Sequence, residues 1–169
     1  MKTTGLEKST FTTLQQRNPS RMSPSSFQKT SKLTIPAKEL RDWHFREGAF
    51  SRLTPPWEGA RLVESPGSLH DGARAVIEVG IGPVRQRWVA EHETTPEGFI
   101  DWQAEGPFSS WRHTHRFRPL VEGRSELTDS IEYQLPLGPL GDFFGGRFVQ
   151  AKLERMFRYR HEVTRVDLE

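Results

Sequence analysis

Two histidines and an aspartate stand at positions where their side chains could carry out acid–base chemistry. His113 and His115 are two residues apart in an alternating stretch, so both lie on one face of a strand, together with Trp111 and Phe117. Asp129 falls on the apolar face of the following strand, where an ionised carboxylate is costly unless it is paired. We therefore predict that one of the two histidines pairs with Asp129 across the hairpin.

This Asp–His pair has two interpretations, which the residues alone leave open. It is either a structural link that fixes the register of the two strands, or an acid–base pair that moves protons on a bound molecule. Two histidines on one face could also hold a metal ion. No third ligand accompanies them in the sequence, so we predict no metal and favour the structural interpretation.

Other classes of site find no support in the sequence. The chain has no cysteine, which excludes disulfides, thiolate zinc sites and cysteine nucleophiles. No Gly-x-Ser-x-Gly turn and no Gly-x-Gly-x-x-Gly loop are present. The glycines between 138 and 146 do not have the spacing of a phosphate-binding loop. We therefore predict no cofactor.

The elements that position these residues follow from hydrophobic periodicity. After a pair of prolines the pattern alternates over several short segments joined by tight turns, which predicts antiparallel strands with one buried face. A final helix is the element long enough to cover that face, with its basic residues Lys152, Arg155, Arg158 and Arg160 assigned to solvent. The predicted strands are 27–35, 61–64, 73–81, 85–91, 99–105, 111–118 and 126–135, and the predicted helices are 36–47, 49–53 and 142–163.

The composition and charge of the whole chain limit its domain organisation, its partners and its location. Residues 1–25 are polar and predict a disordered tail, with Met22 as an alternative translation start, and residues 26–169 predict one soluble α+β domain. Lysines and arginines number 24 against 22 acids, a mixed surface that argues against nucleic acid as a partner. No membrane span and no secretory signal are predicted. We expect a cytoplasmic monomer or weak homodimer.

Several motifs resemble one protein family over residues 31–160. The most specific are FIDWQAEGPF at 99–108 and WRHTHRF at 111–117, supported by WHF at 43–45, LTPPW at 53–57 and TDSIEYQLP at 128–136. They are similar to the SRPBCC (START-like, helix-grip) ligand-binding superfamily, in a subfamily resembling cyclases and dehydrases. The resemblance implies a curled antiparallel sheet of about seven strands wrapped on the long C-terminal helix, with two short helices after the first strand.

The resemblance also implies a cavity between sheet and helix that binds or carries a small hydrophobic molecule. The alternative is a polyketide cyclase/dehydrase-type enzyme in which His113, His115 and Asp129 shuttle protons. The pattern is compatible with either face of strand 99–105 lining the cavity. The candidate cavity residues are Trp88, Asp101, Gln103, Trp111, His113, His115, Phe117, Asp129, Tyr133, Phe144 and Phe148.

Overall fold

The computed structural model describes residues 24–65, 67–81 and 84–169, apart from the side chains of 81, 84, 139, 140 and 142–144. The predicted tail at 1–25 therefore lies almost wholly outside the described residues. Ser25, assigned to that tail, is the first residue of strand β1.

Seven strands of the described residues form one sheet, and the predicted fold class is confirmed. Their order across the sheet is β1-β7-β6-β5-β4-β3-β2, and every neighbouring pair is antiparallel. The strands are β1 (Ser25–Leu33), β2 (Arg61–Glu64), β3 (Arg74–Ile81), β4 (Val84–Thr95), β5 (Gly98–Glu105), β6 (Ser110–Pro119) and β7 (Ser125–Gln134).

Three α-helices accompany the sheet in the part of the chain that the structure describes. The short helices α1 (Ala37–Phe45) and α2 (Ala49–Leu53) follow β1, and the long helix α3 (Pro139–Leu168) ends the chain. Helix α3 packs on β1 and α2, whereas α1 packs on β6 and β7. Among the described residues, no helix is both long and apolar enough to cross a membrane.

Two hydrophobic clusters fix the helices on the sheet. One lies beneath α1 and contains Leu40 together with Phe99, Phe117 and Leu127 of three strands. The other lies beneath α3, whose Leu153 and Phe157 pack on Phe27, Ile131 and Tyr133. Burial of these apolar surfaces is the main favourable contribution to folding.

Local irregularities bend the sheet around the helix. The register of β4 against β5 shifts between Val89 and Ala90, an irregularity of the β-bulge type, and such irregularities bend a strand and increase its twist. At the other end of β5, Gly98 lies so close to β6 that a β-carbon there would collide with the carbonyl oxygen of His115. The close approach at Gly98 therefore helps to set the position of His115.

Candidate functional site

A cavity of about 560 Å³ lies between the sheet and helix α3. Its lining is predominantly apolar, as is typical of sites for small organic ligands. Ala75 and Ala90 are paired across β3 and β4 and both line it, so the wall there carries small side chains.

Three aromatic rings form one side of this cavity. The rings of Trp88 and Trp111 meet edge to face at a centroid distance of 5.1 Å. Phe108 contacts both, at 5.7 Å from Trp88 and 4.9 Å from Trp111. All three residues line the cavity. Such rings present a large, stiff apolar surface to a bound molecule.

Charged groups gather at another part of the cavity wall, around the buried carboxylate of Asp129. Its Oδ1 accepts a hydrogen bond from His113 Nε2 at 2.8 Å and lies 2.8 Å from His115 Nδ1, at an angle unsuited to a hydrogen bond. Its Oδ2 accepts a hydrogen bond from His161 Nε2 of α3, also at 2.8 Å. One histidine partner was predicted for Asp129, and three histidines surround it.

A second carboxylate continues this network toward the cavity. Asp101 Oδ2 lies 3.3 Å from His115 Nε2, and Asp101 Oδ1 contacts His92 Nδ1. His115 therefore bridges the two aspartates through its two ring nitrogens. We refer to Asp101, Asp129, His92, His113, His115 and His161 as the His–Asp network.

The network gives its two central histidines, His113 and His115, different protonation states at neutral pH. Burial works against the charged form of His115, but the negative charge of Asp129 and the contact with Asp101 outweigh it and raise its pKa to about 9. Burial and the adjacent charge of His115 lower the pKa of His113 to about 4. At neutral pH the two neighbouring rings are thus an imidazolium and a neutral imidazole.

Both carboxylates remain ionised, although Asp129 is buried and Asp101 is partly buried. Burial opposes the charged form of Asp129, yet the charge of His115 and the histidine hydrogen bonds hold its pKa well below the usual range. Desolvation likewise opposes the charged form of Asp101, but its interactions with His115 and His92 outweigh this effect and lower its pKa. His115 is therefore held between two negative charges.

His44 is a further buried histidine on the cavity wall. Its Nδ1 donates to the carbonyl oxygen of Leu40 at 2.8 Å. Burial lowers its pKa to about 4, so the ring is neutral at neutral pH. The hydrogen bond within α1 fixes the orientation of the ring.

Helix α3 brings two cations to the cavity that the sequence analysis had assigned to solvent. Lys152 Nζ lies 2.9 Å from Glu58 Oε2, and both residues line the cavity. Arg160 also lines the cavity, with its guanidinium carbon 5.1 Å from the ring centroid of Phe157. The assignment of Arg160 to solvent is therefore wrong, because its Nε is enclosed by protein, whereas the side chain of Lys152 lines the cavity and is still 40% exposed.

Six of the predicted cavity residues line the cavity in the structure, among them both central histidines. They are Trp88, Asp101, Trp111, His113, His115 and Phe148. Of the two faces of strand 99–105, the face that carries Phe99 and Asp101 lines the cavity. Trp102 lies on the opposite face and is 39% exposed. The side chain of Phe144 lies outside the described residues.

Four of the predicted cavity residues do not line it. Gln103 shares the face of Asp101, but its amide group hydrogen-bonds to the backbone of Phe108. Phe117 and Tyr133 are packed into the two hydrophobic clusters, under α1 and α3 respectively. Asp129 contacts the cavity-lining histidines His113 and His115.

Among the described residues, Asp101, His113 and His115 bring potential metal-ligand atoms within 4.8 Å of one another. Two histidines and a carboxylate are a ligand set that suits zinc. Both nitrogens of His115 already face carboxylates, however, and its raised pKa keeps the ring protonated. A metal ion at this position would have to displace a proton from His115, so the ligand set is an unfavourable fit.

Solved structures of several proteins share this fold. A nucleoside-diphosphate sugar epimerase from Corynebacterium glutamicum is 26% identical, with a TM-score of 0.63 over 84% of this chain; the chain spans 29% of the length of that protein. The Zhui aromatase/cyclase from a Streptomyces species is 13% identical, with a TM-score of 0.67 over 85% of this chain and 93% of that one.

A START superfamily protein from Mycobacterium smegmatis is a third similar structure, 13% identical, with a TM-score of 0.55 over 83% of this chain and 98% of that one. No curated protein matches the chain by sequence. The family model described as "Polyketide cyclase / dehydrase and lipid transport" matches residues 43–157, which is more than half of the chain. Together with the helix-grip fold, this match establishes that the chain belongs to the polyketide cyclase / dehydrase and lipid transport family.

Proposed function

We propose that this protein binds a small, largely apolar molecule in the cavity between the sheet and α3. The observation that carries the proposal is the cavity itself, with its volume of about 560 Å³ and its aromatic side formed by Trp88, Phe108 and Trp111. A void of this size that served packing alone would forfeit the dispersion contacts of its lining. Family membership supports the same function.

The direct test is titration with N-phenyl-1-naphthylamine, a neutral apolar dye whose emission rises when it leaves water. We expect a saturable curve for one site with a dissociation constant in the micromolar range. The variant Ala90→Phe places a ring in the cavity and should weaken the binding at least tenfold. The matched control is Ala104→Phe, because Ala104 is exposed on the neighbouring strand β5.

The titrations distinguish binding in the cavity from binding elsewhere and from no specific binding. A linear response to added dye, or equal binding by the Ala90→Phe variant and the unmodified protein, would contradict a function for the cavity. Circular dichroism of both variants establishes that the fold is retained. Loss of binding in the Ala104→Phe variant would place the dye on the outer surface of the sheet.

A second candidate function is acid–base catalysis on the bound molecule. The observation that favours it is the adjacent pair of His113 and His115, whose pKa values are driven apart to about 4 and about 9 on the cavity wall. The contact from His115 Nε2 to Asp101 spans 3.3 Å, the longest hydrogen bond in the network. A ligand oxygen entering there would receive a proton from His115, and the neutral ring of His113 would accept one.

Hydrogen exchange on a simple ketone tests this candidate. In deuterated water, the methyl protons of 2-acetonaphthone should exchange faster with the protein than in buffer, as followed by proton NMR. The His115→Gln variant should abolish the acceleration while it still binds N-phenyl-1-naphthylamine. An exchange rate equal to that in buffer, with the ketone shown to be bound, would count against catalysis and leave the binding function standing.

A further inference from the structure

Arg160 has hydrogen-bonding capacity that the described residues leave unused. A guanidinium carries five N–H donors in a planar fork. The Nε of Arg160 is enclosed by protein and has no hydrogen-bond partner among the residues that the structure describes. Among the described residues, the side chain of Arg160 has no ion-pair partner, and its guanidinium lies over the ring of Phe157. Because Arg160 lines the cavity, a bound molecule can reach it.

The nearby carboxylates are already engaged by other partners. The negative charges of Asp129, Asp101 and Glu58 favour the charged form of Arg160, although burial still lowers its pKa. Asp129 is surrounded by three histidines, and Asp101 contacts His92 and His115. Glu58 pairs with Lys152. These carboxylates act on Arg160 at a distance and leave its donors free for another acceptor.

We infer that Arg160 is an oxyanion subsite, and that the molecule bound in the cavity is an amphiphilic carboxylate whose charged end pairs with this guanidinium. Its apolar body would lie against Trp88, Phe108 and Trp111, and its carboxylate would lie at α3. A carboxylate matches the guanidinium fork with two parallel hydrogen bonds. This inference rests on the proposed binding function and specifies the class of ligand.

Two dyes that differ by one anionic group test the inference. N-phenyl-1-naphthylamine and 1-anilinonaphthalene-8-sulfonate share their ring system, and the second adds a sulfonate that stands in for the carboxylate. In the Arg160→Gln variant we expect the affinity for the sulfonate dye to fall at least about tenfold, the size of effect typical of a lost charge-assisted hydrogen bond. The affinity for the neutral dye should change less than about threefold.

The matched control is Arg158→Gln. Arg158 belongs to the same helix, its side chain is 73% exposed, and it pairs with Glu154 at 3.4 Å. Neither dye should bind this variant differently, because Arg158 does not line the cavity. A fall in affinity for the sulfonate dye in both variants would mean that it responds to the overall charge of α3, which would overturn the inference.

A measurement on the unmodified protein tests the inference even if the Arg160→Gln variant does not fold. Decanoate should displace bound N-phenyl-1-naphthylamine at a concentration at least tenfold lower than decan-1-ol does. Equal displacement by the two compounds, or equal effects of Arg160→Gln on both dyes, would overturn the oxyanion subsite while the binding function stands. If the neutral dye itself shows no saturable binding, the proposed function fails and the subsite fails with it.

Discussion

Asp129 of β7 and His161 of α3 are joined by a buried hydrogen bond of 2.8 Å between Oδ2 and Nε2. The other nitrogen of the ring, His161 Nδ1, lies 2.8 Å from Ser31 Oγ of β1. A single imidazole thus ties the long helix to two neighbouring strands of the sheet. Because the same carboxylate contacts His113 and His115, the position of α3 is coupled to the charged wall of the cavity.

The first prediction is that Asp129→Asn strongly destabilises the protein. Asparagine keeps the shape but loses the charge, and the protonated His115 would then lack the buried one of its two counter-charges. Breaking a buried ion pair by removing one partner costs about 3–5 kcal/mol. Urea unfolding followed by tryptophan emission measures the free energy of unfolding. The control is Glu132→Gln on the same strand, where the side chain is 55% exposed, and we expect a change within about 0.5 kcal/mol.

Double-mutant cycles extend this prediction to two of the three histidines. Combining Asp129→Asn with His161→Gln, and separately with His113→Gln, should cost less than the sum of the single changes by about 0.5–3 kcal/mol. Each pair shares a hydrogen bond, so the second substitution removes a contact that the first has already broken. Additive losses in both cycles would mean that the carboxylate does not act through these rings.

Much of the fold could be predicted because its pattern is local. Strict alternation in β6 and β7 with a short turn between them requires an antiparallel hairpin, and the structure pairs His115 directly with Asp129. The expected proximity of Asp129 to the two histidines follows from this register alone. The strand order likewise follows from short turns, apart from the pairing of β1 with β7, which are far apart in the chain.

The parts of the site that sequence analysis missed depend on contacts between distant elements. Arg160 was assigned to the solvated side of the helix and His161 was given no role, because burial of a polar group depends on partners that a periodic pattern does not contain. The available signal was position, since His161 lies four residues beyond Phe157 on the same helix stripe. His92 similarly continues the alternation of Trp88 and Ala90 beyond the predicted end of its strand.

The cavity residues illustrate a second limit of strand patterns. His115 and Phe117 share one face of β6, yet the first lines the cavity and the second packs under α1. Alternation distinguishes the two faces of a strand but not the positions along one face. Which positions are left open depends on where the helices cover the sheet.

The second prediction is that stability is greatest near pH 6.5. The lowered pKa values of His44 and His113, about 4, mean that the unfolded chain binds more protons between pH 4 and 6.5, so stability falls as pH decreases through this interval. The raised pKa of His115, about 9, means that the folded state binds more protons between pH 6.5 and 9, so stability falls as pH increases there. Urea midpoints measured from pH 4 to 9 would reveal both slopes.

Single-histidine variants assign the alkaline slope. The His115→Gln variant should lose the decline between pH 6.5 and 9, whereas His70→Gln should keep it, because His70 is exposed and remote from the network. A decline of the same steepness in the His115→Gln variant would mean that another group is responsible.

The third prediction contrasts two glycines. Gly98→Ala should destabilise the protein, since the new methyl group would collide with the carbonyl oxygen of His115 and force β5 away from β6. Gly146→Ala in α3 meets no atom within 4 Å and should stabilise the protein by up to about 1 kcal/mol, because alanine is the better helix former. Thermal unfolding compares the two variants, and a similar melting temperature for both would contradict the close approach at Gly98.

The last prediction concerns zinc. We expect that one equivalent of Zn²⁺ at neutral pH does not raise the melting temperature, although Asp101, His113 and His115 lie close enough to bind an ion. A ligand that binds the folded state alone must stabilise it, so the melting temperature reports binding directly. Zinc would have to compete with the proton that two aspartates hold on His115, whose pKa is about 9. A melting temperature that rises to saturation at one equivalent, is restored by a chelator and fails to rise in the Asp101→Asn variant would identify a metal site instead. In that case the His–Asp network would be the resting arrangement of its ligands, with the proton on His115 in the place of the metal.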